Sequence, residues 1–461
     1  MGTDLVAARD SRRAWSIMAI LNYVFILGAV VTATTPDGFP NALGRLPPRG
    51  ARTWNSFRQS INQNLLTLGL DGLSAPLPAP AAGSLASSRF NDLGIDDGWE
   101  SCVNGTFHDS AGNPMINTTL FPDMAALTAH ARAQGLTMSW YMNCCGCSER
   151  KSAIGPHYAQ DAAATARLGF SGLKVDGCGN EPNITLWAVA TNSTGVPLLL
   201  ENCNDDAPFR PTTLADGSVF CPFNFFRTSI DGAPNFRSTF ANVWSTLPYL
   251  NVSSPGCFAY PDMLTFGSPA YGFEEPSFHR NCGGRRMSDA EARTQFAAFA
   301  ALSSPLVLGF DTGNASERAR WGPIVTHAPT LEVNDVWDGE AGRLVAASSI
   351  FEVVPVAVGG MCELIQNHTL PQWMVIGKRL ASHDDGSTIL FAAVLLVGDW
   401  APPSVSFEAP LSAMGFADGA TVATFDGWTR ASLGKISGAW TGSGAHMTPG
   451  LYRIFQSAAA L

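Results

Sequence analysis

Eight short apolar runs alternate with helical patterns between residues 53 and 311. The runs span residues 53–56, 93–99, 136–143, 169–175, 197–202, 225–231, 258–264 and 305–311. Helical patterns lie between them, for example at 122–134, 159–168 and 288–302. Alternation of strand and helix predicts parallel strands, and eight is the number of strands that closes a barrel. The sequence therefore predicts an α/β fold with a (β/α)8 TIM barrel over residues 51–340.

Polar side chains gather where these predicted strands end. They are Asp96, Asp97, Asn143, Asp176, Asn202, Asp231 and Asp262. A TIM barrel builds its active site at the carboxyl ends of its strands. One polar residue after a strand is ordinary turn chemistry, but a set on successive strands indicates a shared site.

The pattern changes past residue 339. Segments 372–380, 388–397, 421–425 and 450–455 are short, are separated by Gly, Pro and Asp turns, and lack convincing helices between them. This predicts an antiparallel β-sandwich over residues 341–461. A chain of 461 residues with 46% apolar and 14% charged residues also exceeds a usual single domain. We expect the second domain to carry no chemistry.

The first residues have the pattern of an export signal. Arg9, Arg12 and Arg13 precede the apolar run 17–31, which ends in small residues. This predicts a signal peptide over residues 1–33 and a linker over 34–50, with an uncleaved signal anchor as the alternative. Seven Asn-x-Ser/Thr triplets and ten cysteines fit the same route. We expect a secreted or lysosomal/vacuolar glycoprotein with disulfides.

Charge and motif content exclude several functions. The net charge is −10, and the 28 basic residues are scattered, which disfavours a nucleic-acid partner. The sequence has neither a dinucleotide-binding glycine motif nor a phosphate loop nor a Gly-x-Ser-x-Gly elbow. The cysteine cluster at 144–147 lacks a second cysteine or histidine pair at ligand spacing, which favours disulfides over a metal. We expect no cofactor and no metal, and a homodimer stays open.

Lys174 and Asp176 end the fourth predicted strand. Because they are two positions apart, their side chains project toward the same face. An ammonium group within reach favours the ionised form of the carboxyl group, and an ionised carboxylate can act as a nucleophile. An ion pair with only a structural role is the alternative.

Five short motifs in the same order resemble glycoside hydrolase family 27, which includes α-galactosidases and α-N-acetylgalactosaminidases. Ile-Asp-Asp-Gly-Trp at 95–99 is similar to the family's I-D-D-C-W, and Leu-Lys-Val-Asp-Gly-Cys at 173–178 to its L-K-[FY]-D-x-C. Residues 227–231, 261–264 and 304–306 resemble R-x-x-x-D, P-D-M-L and [AS]-P-L. The resemblance covers most of residues 51–340.

The resemblance implies a retaining exo-glycosidase acting on terminal α-linked galactose of a carbohydrate or glycoconjugate. Asp176 would be the nucleophile and Asp231 the acid and base, with the two carboxyl groups about 5 Å apart. It also implies a set of residues that bind the sugar hydroxyls: Asp96, Asp97, Lys174, Arg227 and Asp262. Tyr141 and Trp99 are candidate walls for the apolar face of the sugar, with core packing as the alternative.

The chain departs from the family pattern after the fifth strand. Asn204 stands where α-galactosidases have Glu and members that accept N-acetyl groups have Ser. An amide there can bind a hydroxyl group at carbon 2 but leaves no obvious cavity for an acetamido group, so galactose is favoured. Another family substrate, N-acetylgalactosamine or a different α-linked sugar, and a catalytically inactive sugar-binding module stay open as alternatives.

The resemblance also implies two disulfides. Cys203 would pair with Cys221, and Cys147 with Cys178, although Cys144 or Cys145 could take the place of Cys147. A further disulfide of the family is absent, because Gly98 stands where the family has a cysteine.

Overall fold

The computed structural model of the protein describes residues 41–147, 157–177, 183–203, 212–213, 217, 219–268, 287–359, 362, 364–380, 390–445 and 452–457. The predicted signal peptide, residues 34–40 of the predicted linker, Asn204 and Cys178 lie outside the described residues. The fold below belongs to the unit formed by residues 44–461.

Eight parallel strands form the first sheet, as the alternation in the sequence predicts. The strands up to residue 308 are β1 Arg49–Arg52, β2 Asp92–Gly94, β3 Thr137–Asn143, β4 Gly172–Asp176, β5 Leu199–Cys203, β6 Thr212–Thr213, β7 Val219–Phe220, β8 Phe225–Arg227, β9 Phe258–Tyr260 and β10 Leu306–Leu308. Their order in the sheet is β10-β1-β2-β3-β4-β5-β8-β9, and β6 and β7 form a separate pair. A parallel bridge between Leu264, which follows β9, and Leu308 closes the ring. The TIM-barrel prediction is confirmed.

The predicted first strand, 53–56, is wrong. The strand is β1, and Trp54–Phe57 form a short helix instead. β1 reads Arg-Gly-Ala-Arg, so it lacks an apolar run, and its arginines are buried through polar partners. Arg52 pairs with Glu201 of β5 inside the barrel, and Arg49 donates to the Leu331 carbonyl at 2.9 Å. β1 also includes Arg49 and Gly50, which the sequence assigned to the linker.

Helices follow the barrel strands. They are α1 Trp54–Phe57, α2 Gln63–Ser74, α3 Met124–Ala133, α4 Tyr158–Arg167, α5 Ile184–Ser193, α6 Phe236–Thr246, α7 Asp289–Ala301, α8 Ala315–Val325 and α9 Ala328–Asp335. The predicted helices 122–134, 159–168 and 288–302 correspond to α3, α4 and α7. Side-chain caps explain several starts: Ser288 and Glu291 form a capping box on α7, and Asn235 caps α6.

The C-terminal part is built from antiparallel strands. They are β11 Arg343–Ala347, β12 Phe351–Val358, β13 Leu364–Pro371, β14 Trp373–Leu380, β15 Leu390–Val397, β16 Val405–Pro410, β17 Thr421–Asp426, β18 Ser432–Ser437, β19 Ala439–Gly444 and β20 Tyr452–Ser457. A six-stranded sheet has the order β11-β14-β15-β20-β17-β18, while β12–β13 and β16–β19 form hairpins. The antiparallel class predicted for this region is confirmed.

The six-stranded sheet is buried on both faces. Alternate residues of β15 point to opposite sides: Phe391 and Leu395 pack with Phe407 of β16, whereas Val394 joins the core that contains Phe296 of α7. This explains why β15 reads as a continuous apolar run. The sheet therefore packs between the β16–β19 hairpin and the barrel.

The predicted pairs Cys203–Cys221 and Cys147–Cys178 are wrong, and Cys144, one alternative partner of Cys178, is a free thiol. The other alternative, Cys145 with Cys178, stays a prediction, because Cys178 lies outside the described residues. Cys221 is bonded to Cys257, and Cys147 to Cys102. Cys203 ends β5 and is a buried free thiol, whereas Cys221 and Cys257 precede the neighbouring strands β8 and β9 at the opposite end of the barrel. The bonded pair therefore shares one end of the sheet, which Cys203 does not reach. Cys145 and Cys362 are also disulfide-bonded, and Cys144 is a buried free thiol.

Candidate active site

Three neighbouring strands place their polar residues at matching heights. In the register of β3, β4 and β5, Lys174 lies opposite Tyr141 and Glu201. One step higher, Asp176 lies opposite Asn143 and Cys203. The residues between them, such as Leu173 and Val175, pack in the apolar core. Side-chain alternation thus gathers the polar residues on one face.

Lys174 links two carboxylates near the carboxyl end of β4. Its Nζ lies 2.8 Å from Oδ2 of Asp96 and 3.1 Å from Oδ2 of Asp176. Burial alone would lower the pKa of Lys174, but the charges of Asp176 and Asp96 raise it well above its ordinary value. Burial likewise opposes ionisation of Asp176, but Lys174 and then Arg227 outweigh it and lower the pKa of that carboxyl group. Asp176 is therefore held as a carboxylate.

The aspartates at 96 and 97 lie beyond the end of β2, which stops at Gly94. The amide of Asp96 donates to Oγ1 of Thr53, and Gly98 has a φ of 113°, which only glycine adopts readily. The strand therefore ends before both aspartates, so the alternation of a strand does not set the directions of their side chains. Asp96 points to Lys174, whereas Asp97 accepts a hydrogen bond from Nε2 of Gln59.

Asp97 has a second acidic neighbour, Glu100. Both side chains are buried, and Oε2 of Glu100 accepts the Gly98 amide at 2.8 Å. Burial and then the charge of Asp97, to which Glu100 also hydrogen-bonds, raise the pKa of Glu100 well above its ordinary value. Both effects favour the protonated form of Glu100.

Arg227 and Asp231 form an ion pair across one turn of the loop that follows β8. The Arg227 side chain is 12% exposed and the Asp231 side chain 45%, so the carboxyl group of Asp231 faces the open side of the site. The charge of Arg227 also acts on Asp176. One guanidinium group therefore faces both proposed catalytic carboxyl groups.

Asp262 supports the same loop from β9. Its Oδ2 accepts the amide hydrogen bond of Gly232 at 2.5 Å, and its backbone φ is 101°, a conformation that side-chain-bearing residues rarely adopt. Burial raises the pKa of Asp262 to about 6, with Arg227 opposing and Asp231 adding to the increase. Asp262 therefore takes up a proton at mildly acidic pH.

The two candidate aromatic walls lie below the site. Trp99 is fully buried against Trp140 and Phe107, at ring-centroid distances of 4.5 and 5.5 Å, so it packs in the core. The Tyr141 ring is also fully buried, and Nζ of Lys174 lies 5.3 Å from its centroid. Tyr141 therefore supports Lys174, and neither ring is exposed to a sugar.

Relatives with known names match most of the chain. An α-galactosidase of Oryza sativa subsp. japonica is 27% identical over 323 residues, which cover 68% of this chain and 69% of the rice protein. An α-galactosidase of Cyamopsis tetragonoloba is 26% identical over 324 residues, 68% of this chain and 70% of that protein. These matches support a place in glycoside hydrolase family 27, and the chain is a glycoside hydrolase.

Solved structures share the fold of this chain. Saccharomyces cerevisiae α-galactosidase with raffinose has a TM-score of 0.69 at 17% identity, covering 91% of this chain and 99% of that one. A family 27 β-L-arabinopyranosidase from Geobacillus stearothermophilus has a TM-score of 0.66 at 13% identity, covering 91% and 97%. No family model matches the sequence.

Sequence reasoning missed two parts of this site. The first is the ion pair between Arg52 and Glu201, which lies inside the barrel with Glu201 opposite Lys174, and which depends on the correct position of β1. The loop after α1 supplies Gln59 and Arg58, and the charge of Arg58 acts on Asp231 and Asp96. No sequence pattern indicates that this loop turns into the site.

Two further observations concern only the described residues. Among them, no group of three or more His, Cys, Asp or Glu side chains is placed to hold a metal ion. Every helix in the described ranges is too short or too polar to cross a bilayer. Asn204, which the sequence places near carbon 2 of the sugar, lies outside these ranges.

Proposed function

We propose that the protein is a retaining exo-α-galactosidase that removes terminal α-linked galactose from oligosaccharides or glycoconjugates. The named relatives that match by sequence are α-galactosidases. The observation that carries the mechanism is the buried contact of Lys174 with Asp176, which keeps that carboxylate charged beside the Arg227–Asp231 pair.

The first step forms a glycosyl-enzyme ester. Oδ of Asp176 attacks the anomeric carbon, the bond from that carbon to the leaving oxygen breaks, and Asp231 in its acid form gives its proton to that oxygen. Arg227 screens the carboxylate that Asp231 becomes. The Asp231 side chain is 45% exposed, so solvent can reach it to return the proton.

The second step hydrolyses the ester. Asp231 as carboxylate removes a proton from water, the water oxygen bonds to the anomeric carbon, and the bond to Asp176 breaks. Two inversions restore the α configuration. Asp176 leaves as the stabilised carboxylate that Lys174 favours, which also makes it a good leaving group.

Sugar recognition is assigned to the polar groups around this centre. Asp96 and Lys174 lie together at the floor of the site and would bind neighbouring hydroxyl groups, while Arg227 and Asp262 lie on the side of Asp231. Asp97 is fixed by Gln59 and Glu100, so it would present a preset acceptor to one hydroxyl group. Asn204 would face carbon 2, as the family resemblance implies.

The wider assignment follows from the sequence. Export through a signal peptide at 1–33 would place the enzyme outside the cell or in a lysosome or vacuole, where disulfides such as Cys102–Cys147 persist. A barrel over 51–340 with a β-sandwich over 341–461 is the corresponding domain division. We also propose that the protein forms a homodimer, which its elution volume in size-exclusion chromatography would test.

The test compares aryl α-galactoside, aryl α-N-acetylgalactosaminide and aryl β-L-arabinopyranoside as substrates. We expect α-galactoside to be cleaved best and Asp176→Asn to abolish cleavage, while Asp399→Asn, which alters a surface ion pair with Arg237, leaves it intact. Preference for the acetamido substrate would overturn the role given to Asn204. Galactose binding without cleavage of any substrate would instead support a sugar-binding module.

A further inference from the structure

A long hairpin of the C-terminal part reaches the loop of Asp231. Strands β12 and β13 pair from Phe351 with Pro371 at the base to Val358 with Leu364 at the tip. One face of the hairpin is buried, with Val354 in the main core, and the Phe351 ring lies 5.8 Å from that of Trp244 on α6. The hairpin is thus a separate two-stranded sheet that packs against α6 of the barrel.

The tip of the hairpin is bonded to the backbone of the Asp231 loop. Val358 forms an antiparallel bridge with Gly232, and the amide of Gly359 donates to the carbonyl of Asp231 at 3.0 Å. The amide of Cys362 donates back to the carbonyl of Gly359 at 2.9 Å, which closes the tip on itself. Two successive residues of the loop therefore contact the hairpin.

The same loop is held on its other sides by the barrel. The carbonyl of Ile230 accepts a hydrogen bond from Nδ2 of Asn242 on α6 at 3.1 Å, and the amide of Gly232 donates to Asp262. Ser229 donates to the carbonyl of Pro261 at 2.6 Å. The backbone on either side of Asp231 is thus fixed by barrel residues, while the carbonyl of Asp231 itself is fixed by the hairpin.

We infer that the β12–β13 hairpin is a positioning element for the carboxyl group of Asp231. This inference rests on the proposed role of Asp231 as acid and base. Proton transfer needs a donor within about 3 Å of the leaving oxygen, and a displacement of about 1 Å can cost about 100-fold in rate. The Asp231 side chain is nearly half exposed, so its backbone sets much of its position.

The main test removes the tip and keeps the base. Residues 355–367 are replaced by Asn-Gly, which joins Val354 to His368, a directly paired position, through a two-residue turn. The packing of Phe351 and Val354 is retained. Two substrates are compared by kcat/KM: methyl α-galactoside, whose poor leaving group needs the acid, and dinitrophenyl α-galactoside, whose good leaving group does not.

We expect kcat/KM for the methyl galactoside to fall about 100-fold and that for the dinitrophenyl galactoside by less than about 5-fold, the same pattern that Asp231→Ala gives. Equal losses on both substrates, or no loss on either, would overturn the inference. If the wild-type protein cleaves neither substrate, the proposed function fails instead.

Two point variants guard against misfolding and against the lost disulfide. Gly359 has a φ of 83°, so Gly359→Ala strains the tip and moves its amide from Asp231. We expect this variant to lose about 10-fold in kcat/KM for the methyl galactoside and little for the dinitrophenyl galactoside. If the shortened chain does not fold, this variant provides the test. Cys362→Ser removes the disulfide but keeps the hairpin, so the ratio of kcat/KM for the two galactosides should stay at its wild-type value. If this variant showed the full loss on the methyl galactoside alone, a role for the hairpin contacts would be contradicted.

Discussion

Replacing Lys174 by Met tests whether a buried cation keeps the nucleophile ionised. At the 3.1 Å separation of Nζ and Oδ2 of Asp176, and with an effective dielectric constant of about 20, the attraction is about 5.4 kcal/mol. If water or side-chain movement replaces half of it, about 2.7 kcal/mol is lost, which corresponds to about 100-fold in rate. We expect kcat/KM for aryl α-galactoside to fall by at least about this factor.

The pH profile separates this effect from the loss of a sugar contact. Asp176 must be deprotonated to attack, and its pKa lies below its ordinary value because Lys174 and Arg227 outweigh burial. Without Lys174 that pKa rises, so the acidic limb of kcat/KM should move to higher pH. An acidic limb that stays in place while the rate falls would refute the electrostatic role and leave Lys174 only as a sugar ligand.

Stability should change in the same variant. The pKa of Lys174 is raised from 10.5 and that of Asp176 lowered from 3.8, so the pair stabilises the fold between these values. This contribution is lost as pH rises through the folded pKa of Lys174 or falls through that of Asp176. We expect the unfolding free energy in urea at neutral pH to fall by about 3–5 kcal/mol, because two buried carboxylates lose their partner. The control is Lys378→Met, which removes a second buried lysine far from the site and should leave the acidic limb unchanged.

Three further predictions follow from buried groups. Asp262→Asn keeps an acceptor for the Gly232 amide. Because the pKa of Asp262 is raised from 3.8 to about 6, the free energy of unfolding of the wild-type protein in urea should fall, relative to that of the variant, by on the order of 2–3 kcal/mol as pH rises from about 4 to about 6. A constant difference over this pH range would contradict this. Burial lowers the pKa of Lys378 from 10.5 to about 7, so the stability of the wild-type protein relative to Lys378→Met should rise as pH increases between these values, and a falling trend would refute it. Peptide mapping without reduction should find Cys221 linked to Cys257, with the Cys203 thiol alkylated only after unfolding; a Cys203–Cys221 peptide would contradict the structure.

The barrel could be predicted because its signal is local and repeated. Runs such as 136–143 and 169–175 are apolar on the side that faces the helices; Asn143 ends the first run, and Asp176 follows the second. The spacing of Lys174 and Asp176 also gave their shared direction, since side chains alternate along a strand. β1 was not predicted because its buried side chains are arginines. Their burial depends on Glu201 and on α9, which are both distant in sequence.

The hairpin and the disulfides could not be predicted for a similar reason. β12 and β13 carry exposed apolar residues such as Val353 and Leu364, so they do not show the regular alternation of a half-buried strand. Their position beside Asp231 depends on how the hairpin packs on α6, which no local pattern encodes. Disulfide pairing likewise depends on which strand ends meet, as Cys221 and Cys257 show.

The most direct test of the central claim is to trap the covalent intermediate. An activated fluorogalactoside that slows ester hydrolysis is mixed with the enzyme, the reaction is stopped with acid, and intact and peptide masses are measured. The account predicts one added fluorogalactosyl group on the peptide that contains Asp176, and no addition to Asp176→Asn. Labelling of another residue, or release of β-galactose from a natural substrate without any labelled enzyme, would contradict Asp176 as the nucleophile of a retaining glycosidase.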